Sequence, residues 1–171
     1  LVDIERRVFM STGEADFVLM SEERARDLGY DTSTGIRSYA FTAVDPAWQL
    51  LQGPAFAAPL ALDRAGIDMS DIGLMEMHEA FAAQVLSNLQ ALDSDDFARE
   101  RLGRSSKVGH PDEDRINVMG GSIALGHPFG ATGGRVTTTL MNEMERRGVE
   151  LGLITVCAAG GMGFAMVLER T

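Results

Sequence analysis

Two glycine-rich segments near the C-terminal end each hold one titratable side chain. Gly120-Gly121-Ser122-Ile123-Ala124-Leu125-Gly126-His127-Pro128-Phe129-Gly130-Ala131-Thr132-Gly133-Gly134 carries His127, and Cys157-Ala158-Ala159-Gly160-Gly161-Met162-Gly163 carries the only cysteine. An imidazole titrates near about pH 6.5, so it can accept and donate protons close to neutrality. A thiol titrates near about 8.5 and needs a partner that lowers this value before it serves as a base. Glycine on either side permits tight turns and close approach of a ligand. The pair therefore points to proton-transfer chemistry.

Taken singly, each residue also has a plainer reading. His127 could cap a turn, and Cys157 could be a small buried hydrophobe. The Gly160-Gly161 turn has backbone N–H groups that suit an oxyanion hole or an anion nest, or it simply closes a hairpin. A third segment, His78-Glu79-Ala80-Phe81-Ala82, follows an apolar run. Side chains at strand C-terminal ends often line sites in α/β folds. Ala82 stands where H-E-x-x-H needs its second histidine, which excludes a zinc-protease site and leaves no metal site. His110 sits in a polar loop and is read as solvated, without a role. The ten methionines are read as gap-fillers of the core.

The elements that must position these residues follow from periodicity and punctuation. Phe17 to Met20 is predicted as a short buried strand, and Ser21 then caps a helix ended by Gly29. Ile36 to Val44 has strand composition and stops at Asp45-Pro46. A helix is predicted from Pro54 to Gly66 with Phe56, Ala57, Leu60 and Ala61 inward. Ile72 to Met77 reads as a buried strand leading into a helix from Glu79 to Leu92, with Phe81, Val85, Leu89 and Leu92 at helical spacing. Residues 93–116 are polar and irregular, with one short helix near Phe97 to Leu102. The glycine-rich segment 120–134 opens a helix to Arg147. Leu151 to Val156 and Phe164 to Leu168 form a terminal hairpin. Strands alternating with helices predict a three-layer α/β domain, here with five strands in a mixed sheet and helices on both faces. Residues 1–16 read as a connecting segment, and 17–171 as the domain.

Bulk properties narrow the partners. At 171 residues the chain fits one domain with a full core. A formal net charge of -10 argues against nucleic acid or an anionic membrane surface. No apolar run reaches the ~18 residues needed to span a bilayer. A single cysteine cannot form an internal disulfide, so a reducing, cytoplasmic setting is expected. The chain starts at Leu1 and is expected to be a piece of a longer protein.

Together, the three segments resemble the thiolase family. His78-Glu79-Ala80-Phe81-Ala82 is similar to its N/H-E-A-F-A motif. Residues 120–134 are similar to G-G-(S/A)-I-A-x-G-H-P-x-G-A-(S/T)-G, and Cys157 to Gly163 to C-x-x-G-G-x-G. The match covers residues 17–171, the C-terminal half of such an enzyme. Histidine at position 78, Gly126-His127-Pro128-Phe129 and Cys157-Ala158-Ala159-Gly160-Gly161 most resemble the 3-ketoacyl-CoA thiolase (acetyl-CoA acyltransferase) subunit of the fatty-acid oxidation complex.

The resemblance implies a two-step acyl transfer from a 3-ketoacyl-CoA, with coenzyme A as substrate and no resident cofactor. It implies that His127 activates a nucleophilic cysteine and donates to one oxyanion. Cys157 would protonate the departing enolate and later deprotonate CoA, and His78 would hold the water of the first oxyanion hole. The Ala159 N–H would serve the second hole, and Ala80 and Phe81 would line the pantetheine tunnel. It also implies a homo-oligomer and a hydratase/dehydrogenase partner subunit. Two departures stand out. The nucleophilic cysteine belongs to the N-terminal half, so this chain alone cannot perform the covalent step. The family loop D-G-A-A beside the CoA site reads Thr12-Gly13-Glu14-Ala15-Asp16 here. Two other readings remain: a biosynthetic acetoacetyl-CoA thiolase, and a thiolase-like acyl-CoA-binding module without catalysis. An exposed apolar face is expected where the missing half would dock.

Overall fold

The computed structural model describes residues 17–170; the 1–16 connecting segment and the loop at 11–16 lie outside the described residues. Four strands form one sheet: β1 (Thr34–Ala43), β2 (Leu74–Met77), β3 (Leu151–Ala158) and β4 (Met162–Arg170), in the order β1-β4-β3-β2. β4 is antiparallel to both β1 and β3, while β2 runs parallel to β3. The sheet is therefore mixed, as expected. The helices are α1 (Glu22–Asp27), α2 (Pro46–Gln49), α3 (Gly53–Ala65), α4 (Ala82–Leu92), α5 (Asp95–Phe97), α6 (Ser122–Leu125) and α7 (Phe129–Arg147).

The fifth strand is corrected. Phe17 to Met20 contributes only an isolated bridge residue at Val18, and Val18 and Leu19 are exposed. Among the described residues no layer covers this apolar run, so it lacks the burial that stabilises a strand. At the opposite edge Ile116 makes a single parallel bridge to Met75, inside the stretch read as irregular loop.

The three layers follow from alternation along the strands. Leu153 of β3 packs into a core with α3 and α4 residues, whereas Ile154 packs against Val136, Leu140 and Met144 of α7. A strand covered on both faces needs apolar residues at nearly every position. β2 obeys the same period: Met75 and Met77 join the α3 side, and Leu74 joins the α7 side. Its next residues of that parity are Glu76 and His78.

α3 keeps Ala57 and Ala61 inward as expected but not Phe56 or Leu60, and α4 starts later than expected. α3 buries Ala55, Ala58, Ala61, Leu62 and Ala65, while Leu60 is exposed and Phe56 half-buried. The alanine stripe lets α3 lie close on β1 and β4, where the Ala61 carbonyl accepts from Ser38 Oγ at 2.7 Å. α4 starts at Ala82, three residues after the predicted Glu79. The intervening residues stay extended because His78 N–H continues the sheet ladder to Thr155 O (2.8 Å) and Phe81 holds φ -151°, ψ 146°. The terminal hairpin closes through Ala159-Gly160-Gly161, with Gly160 (φ 91°) and Gly161 (φ 79°) both in the left-handed region that favours glycine.

Among the described residues α7 lies mainly over β2 and β3, leaving much of the β1–β4 side of that face uncovered. Ile36, Tyr39 and Phe41 are exposed there. Beside them Leu19, Ile36, Val156, Phe164 and Met166 line an apolar cleft of about 360 Å³. Among the described residues no helix is long and apolar enough to cross a membrane.

Candidate active site

The two histidines meet where β2 ends and α7 begins. His78, on the α7 side by strand parity, is 1% exposed. His127 reaches it from the short Gly126-Pro128 link between α6 and α7, where the following proline restricts its backbone. The ring centroids are 4.2 Å apart, tilted by 42°. The edge of Phe129 packs on His127 at 4.9 Å. Each imidazole is anchored through Nδ1: His78 to Ser122 Oγ at 2.8 Å, and His127 to Thr132 Oγ1 at 2.7 Å. Both Nε2 atoms are thereby left for other partners.

A buried cation stands behind them. Arg135 of α7 is 8% exposed and donates from Nη2 to Ser122 Oγ at 2.9 Å. Burial, then His127 and Arg135, push the His78 pKa down to about 4. His127 is also lowered, first by desolvation of its packed ring and then by Arg135. Both rings are neutral at pH 7. Glu76, 2% exposed and on the same face, behaves oppositely: burial raises its carboxyl to about 7 despite the pull of Arg135, with Glu79 and Glu143 adding to the rise.

Glu79 fixes the loop that carries Ser122. One carboxylate oxygen accepts from Asn117 Nδ2 (2.9 Å), and the other from Ile123 N–H (3.0 Å). The Asn117 amide also accepts from Met77 N–H (2.8 Å) and donates to Met77 O (2.9 Å). Asn117 pays for this position with φ 49°. A Cβ at Gly121 would meet the Glu79 carboxylate, so glycine there lets the loop close over Glu79 without displacing it.

Cys157 sits near the end of β3, 4% exposed. Burial pushes its thiol up, and the groups that partly counter this are backbone groups of Cys157 itself and Ala80. The lowering partner that a thiol base needs is therefore not what this environment supplies; the site favours the protonated thiol. Ala159 lies exposed in the turn just beyond. Ala80 is half-buried, its N–H donating to Gln84 Oε1 at 3.1 Å, and Phe81 is 65% exposed at the rim. His110 is exposed beside Glu113 and far in sequence from this cluster.

The fold thus brings His78 and His127 into contact and sets the Cys157 thiol beside the Ala80 backbone. Reading by residue type alone gave no role to Glu79, Asn117, Ser122, Thr132 or Arg135. Ser122 and Thr132 did carry a signal, since both are hydroxyls inside the histidine's glycine segment. Asn117 carried none.

A family model described as "Thiolase, C-terminal domain" matches residues 30–170. A 3-ketoacyl-CoA thiolase of Cronobacter sakazakii is 57% identical over 160 residues, covering 94% of this chain and 37% of that protein. A 3-ketoacyl-CoA thiolase of Aliivibrio fischeri is 55% identical, with 94% and 36% covered. The solved Bacillus anthracis acetyl-CoA acetyltransferase superposes with a TM-score of 0.74 at 36% identity, covering 89% of this chain and 34% of that one. The chain spans a little over a third of the length of these relatives. By its matched domain and its relatives, the chain belongs to the thiolase family.

Proposed function

We propose that this chain supplies the acid/base half of a 3-ketoacyl-CoA thiolase (acetyl-CoA C-acyltransferase) of fatty-acid β-oxidation. The carrying observation is the pair of imidazoles in contact at the end of β2, with a buried thiol set against the backbone of Ala80, two residues beyond His78. In this reading the nucleophilic cysteine comes from the part of the protein that this chain lacks, and the chain alone is inactive. His127, neutral and open to solvent, takes the proton of that cysteine as its sulfur attacks the 3-keto carbon. The Cα–Cβ bond then breaks, and the Cys157 S–H delivers its proton to the enolate carbon of the departing acetyl-CoA. The resulting thiolate takes the proton of incoming CoA, whose sulfur attacks the acyl-enzyme, releasing the shortened acyl-CoA and the nucleophilic cysteine, which regains its proton from His127. Protons balance over the cycle.

A thiol raised by burial suits the first duty, since the proton is held until a stronger base, the enolate, forms beside it. His78 and the Ala159 N–H serve as oxyanion donors, His78 through a water. Ala80 and Phe81 lie where the pantetheine arm would pass. The uncovered β1–β4 face and its cleft receive the missing half; homo-oligomerisation, a hydratase/dehydrogenase partner and a cytoplasmic setting belong to the same reading. Coenzyme A is a substrate, and no resident cofactor is required.

The test uses the full-length protein and follows ultraviolet loss of 3-ketoacyl-CoA on adding CoA. His127→Ala should cost about 10²–10⁴-fold in kcat/KM. Full activity in that variant would refute the reading. Turnover of acetoacetyl-CoA alone would favour a biosynthetic thiolase, and acyl-CoA binding without turnover a non-catalytic module.

A further inference from the structure

The histidines differ in what holds their Nδ1 atoms. Ser122 Oγ has two hydrogen-bond partners among the described residues, Arg135 Nη2 at 2.9 Å and His78 Nδ1 at 2.8 Å. A guanidinium has donors only, so Ser122 must accept from Arg135. The single hydroxyl proton then has one acceptor in reach, Nδ1 of His78. Were His78 instead protonated at Nδ1, the Ser122 proton would be buried without a partner, at 6% residue exposure. The polarity of the chain is therefore fixed: Arg135 donates to Ser122, and Ser122 donates to His78.

Thr132 Oγ1 has only His127 Nδ1 as side-chain partner among the described residues. No donor presets its hydroxyl, which can give a proton to Nδ1 or accept one from it.

We propose that Arg135 is a positioning residue which, through Ser122, locks His78 in the Nε2–H tautomer as a permanent donor, while His127 stays free to exchange tautomers and carry protons. Two touching imidazoles are thereby given different jobs by their hydroxyl neighbours. His78 presents a fixed N–H to the site and takes no part in proton transfer. The catalytic meaning of this lock rests on the proposed function; the tautomer itself does not.

The test is ¹⁵N NMR of the full-length protein labelled at histidine, at neutral pH, with His78→Asn to assign the signal. His78 should show a fully pyridine-like Nδ1 and a fully pyrrole-like Nε2, with His127 at intermediate, exchange-averaged shifts. Ser122→Ala and Arg135→Met, each close in shape, should both move His78 toward averaged shifts. Both should also lower kcat with little change in KM, by less than the ~10²-fold that loss of an oxyanion donor costs. Protonation at Nδ1 in the unmodified protein overturns the proposal. So does a His78 signal that Arg135→Met leaves unchanged. Either result reads the tautomer alone and stands whether or not thiolysis is found.

Discussion

Replacing Glu76 by glutamine keeps the shape of a buried side chain and removes its titration. The carboxyl stands at about 7 in the fold against an ordinary 4.5. At about 1.36 kcal/mol per pH unit this is worth on the order of 3 kcal/mol. Between these values the folded chain holds a proton that the unfolded chain has lost. Stability from Glu76 therefore falls as pH rises from 4.5 to 7, and the carboxylate costs about 3 kcal/mol above that. His78 works in reverse. Its imidazole stands at about 4 against 6.5, so the unfolded chain takes up a proton that the fold refuses. Stability from His78 is lost as pH falls from 6.5 to 4, again by about 3 kcal/mol. Over the shared window the two slopes oppose and nearly cancel. Arg135 attracts the Glu76 carboxylate and Glu79 and Glu143 repel it, and the value of about 7 already includes them. Glu76→Gln should therefore be more stable than the original protein by about 3 kcal/mol at pH 8, with the gain shrinking to almost nothing at pH 4. The variant alone should show a clear loss of stability below pH 6.5. Denaturant unfolding of both full-length proteins across this range measures the difference directly. A variant no more stable at pH 8, or a gain that does not change with pH, would refute the reasoning.

Other consequences are simpler to check. Leu140→Ala, in the α7 core, should cost about 2–5 kcal/mol in urea unfolding without moving the site. Gly121→Ala forces the Glu79 carboxylate aside, so it should reduce thiolysis of the full-length protein more than it reduces stability; unchanged kcat would count against the role given to Glu79. Cys157, buried with a raised thiol, should resist iodoacetamide at pH 7 and react only after unfolding, as peptide mass mapping would reveal. The isolated chain should bind an environment-sensitive apolar dye at its β1–β4 face, and Phe41→Ser should weaken that signal.

Much of this arrangement is legible in the sequence. The alternation Leu74-Met75-Glu76-Met77-His78 already implies one face with Glu76 and His78 and another with the methionines. The glycine segment placed a helix start directly after His127. What could not be read was tertiary. The run Phe17 to Met20 has strand composition, yet among the described residues no layer covers it. The inward face of α3 is set by small alanines because strands approach closely, and residue hydrophobicity alone points to Leu60. Arg135 looks like one more surface arginine of a long helix until β2 is laid against it. Nothing local in Asn117 announces that its amide will sit against a strand.

That amide has a further consequence. β2 is an edge strand, and an edge offers backbone groups to any passing strand. Here Asn117 takes both the N–H and the carbonyl of Met77, and its own N–H takes the carbonyl of Met75 at 2.9 Å. A side chain has imitated a neighbour strand and used up the outward groups of β2 along that stretch. The sheet is closed to extension on the side where the site lies, so copies of the molecule cannot zip together through β2. A residue that orders the site thereby also guards against aggregation, and heat-induced clumping of Asn117→Ala would expose that second duty.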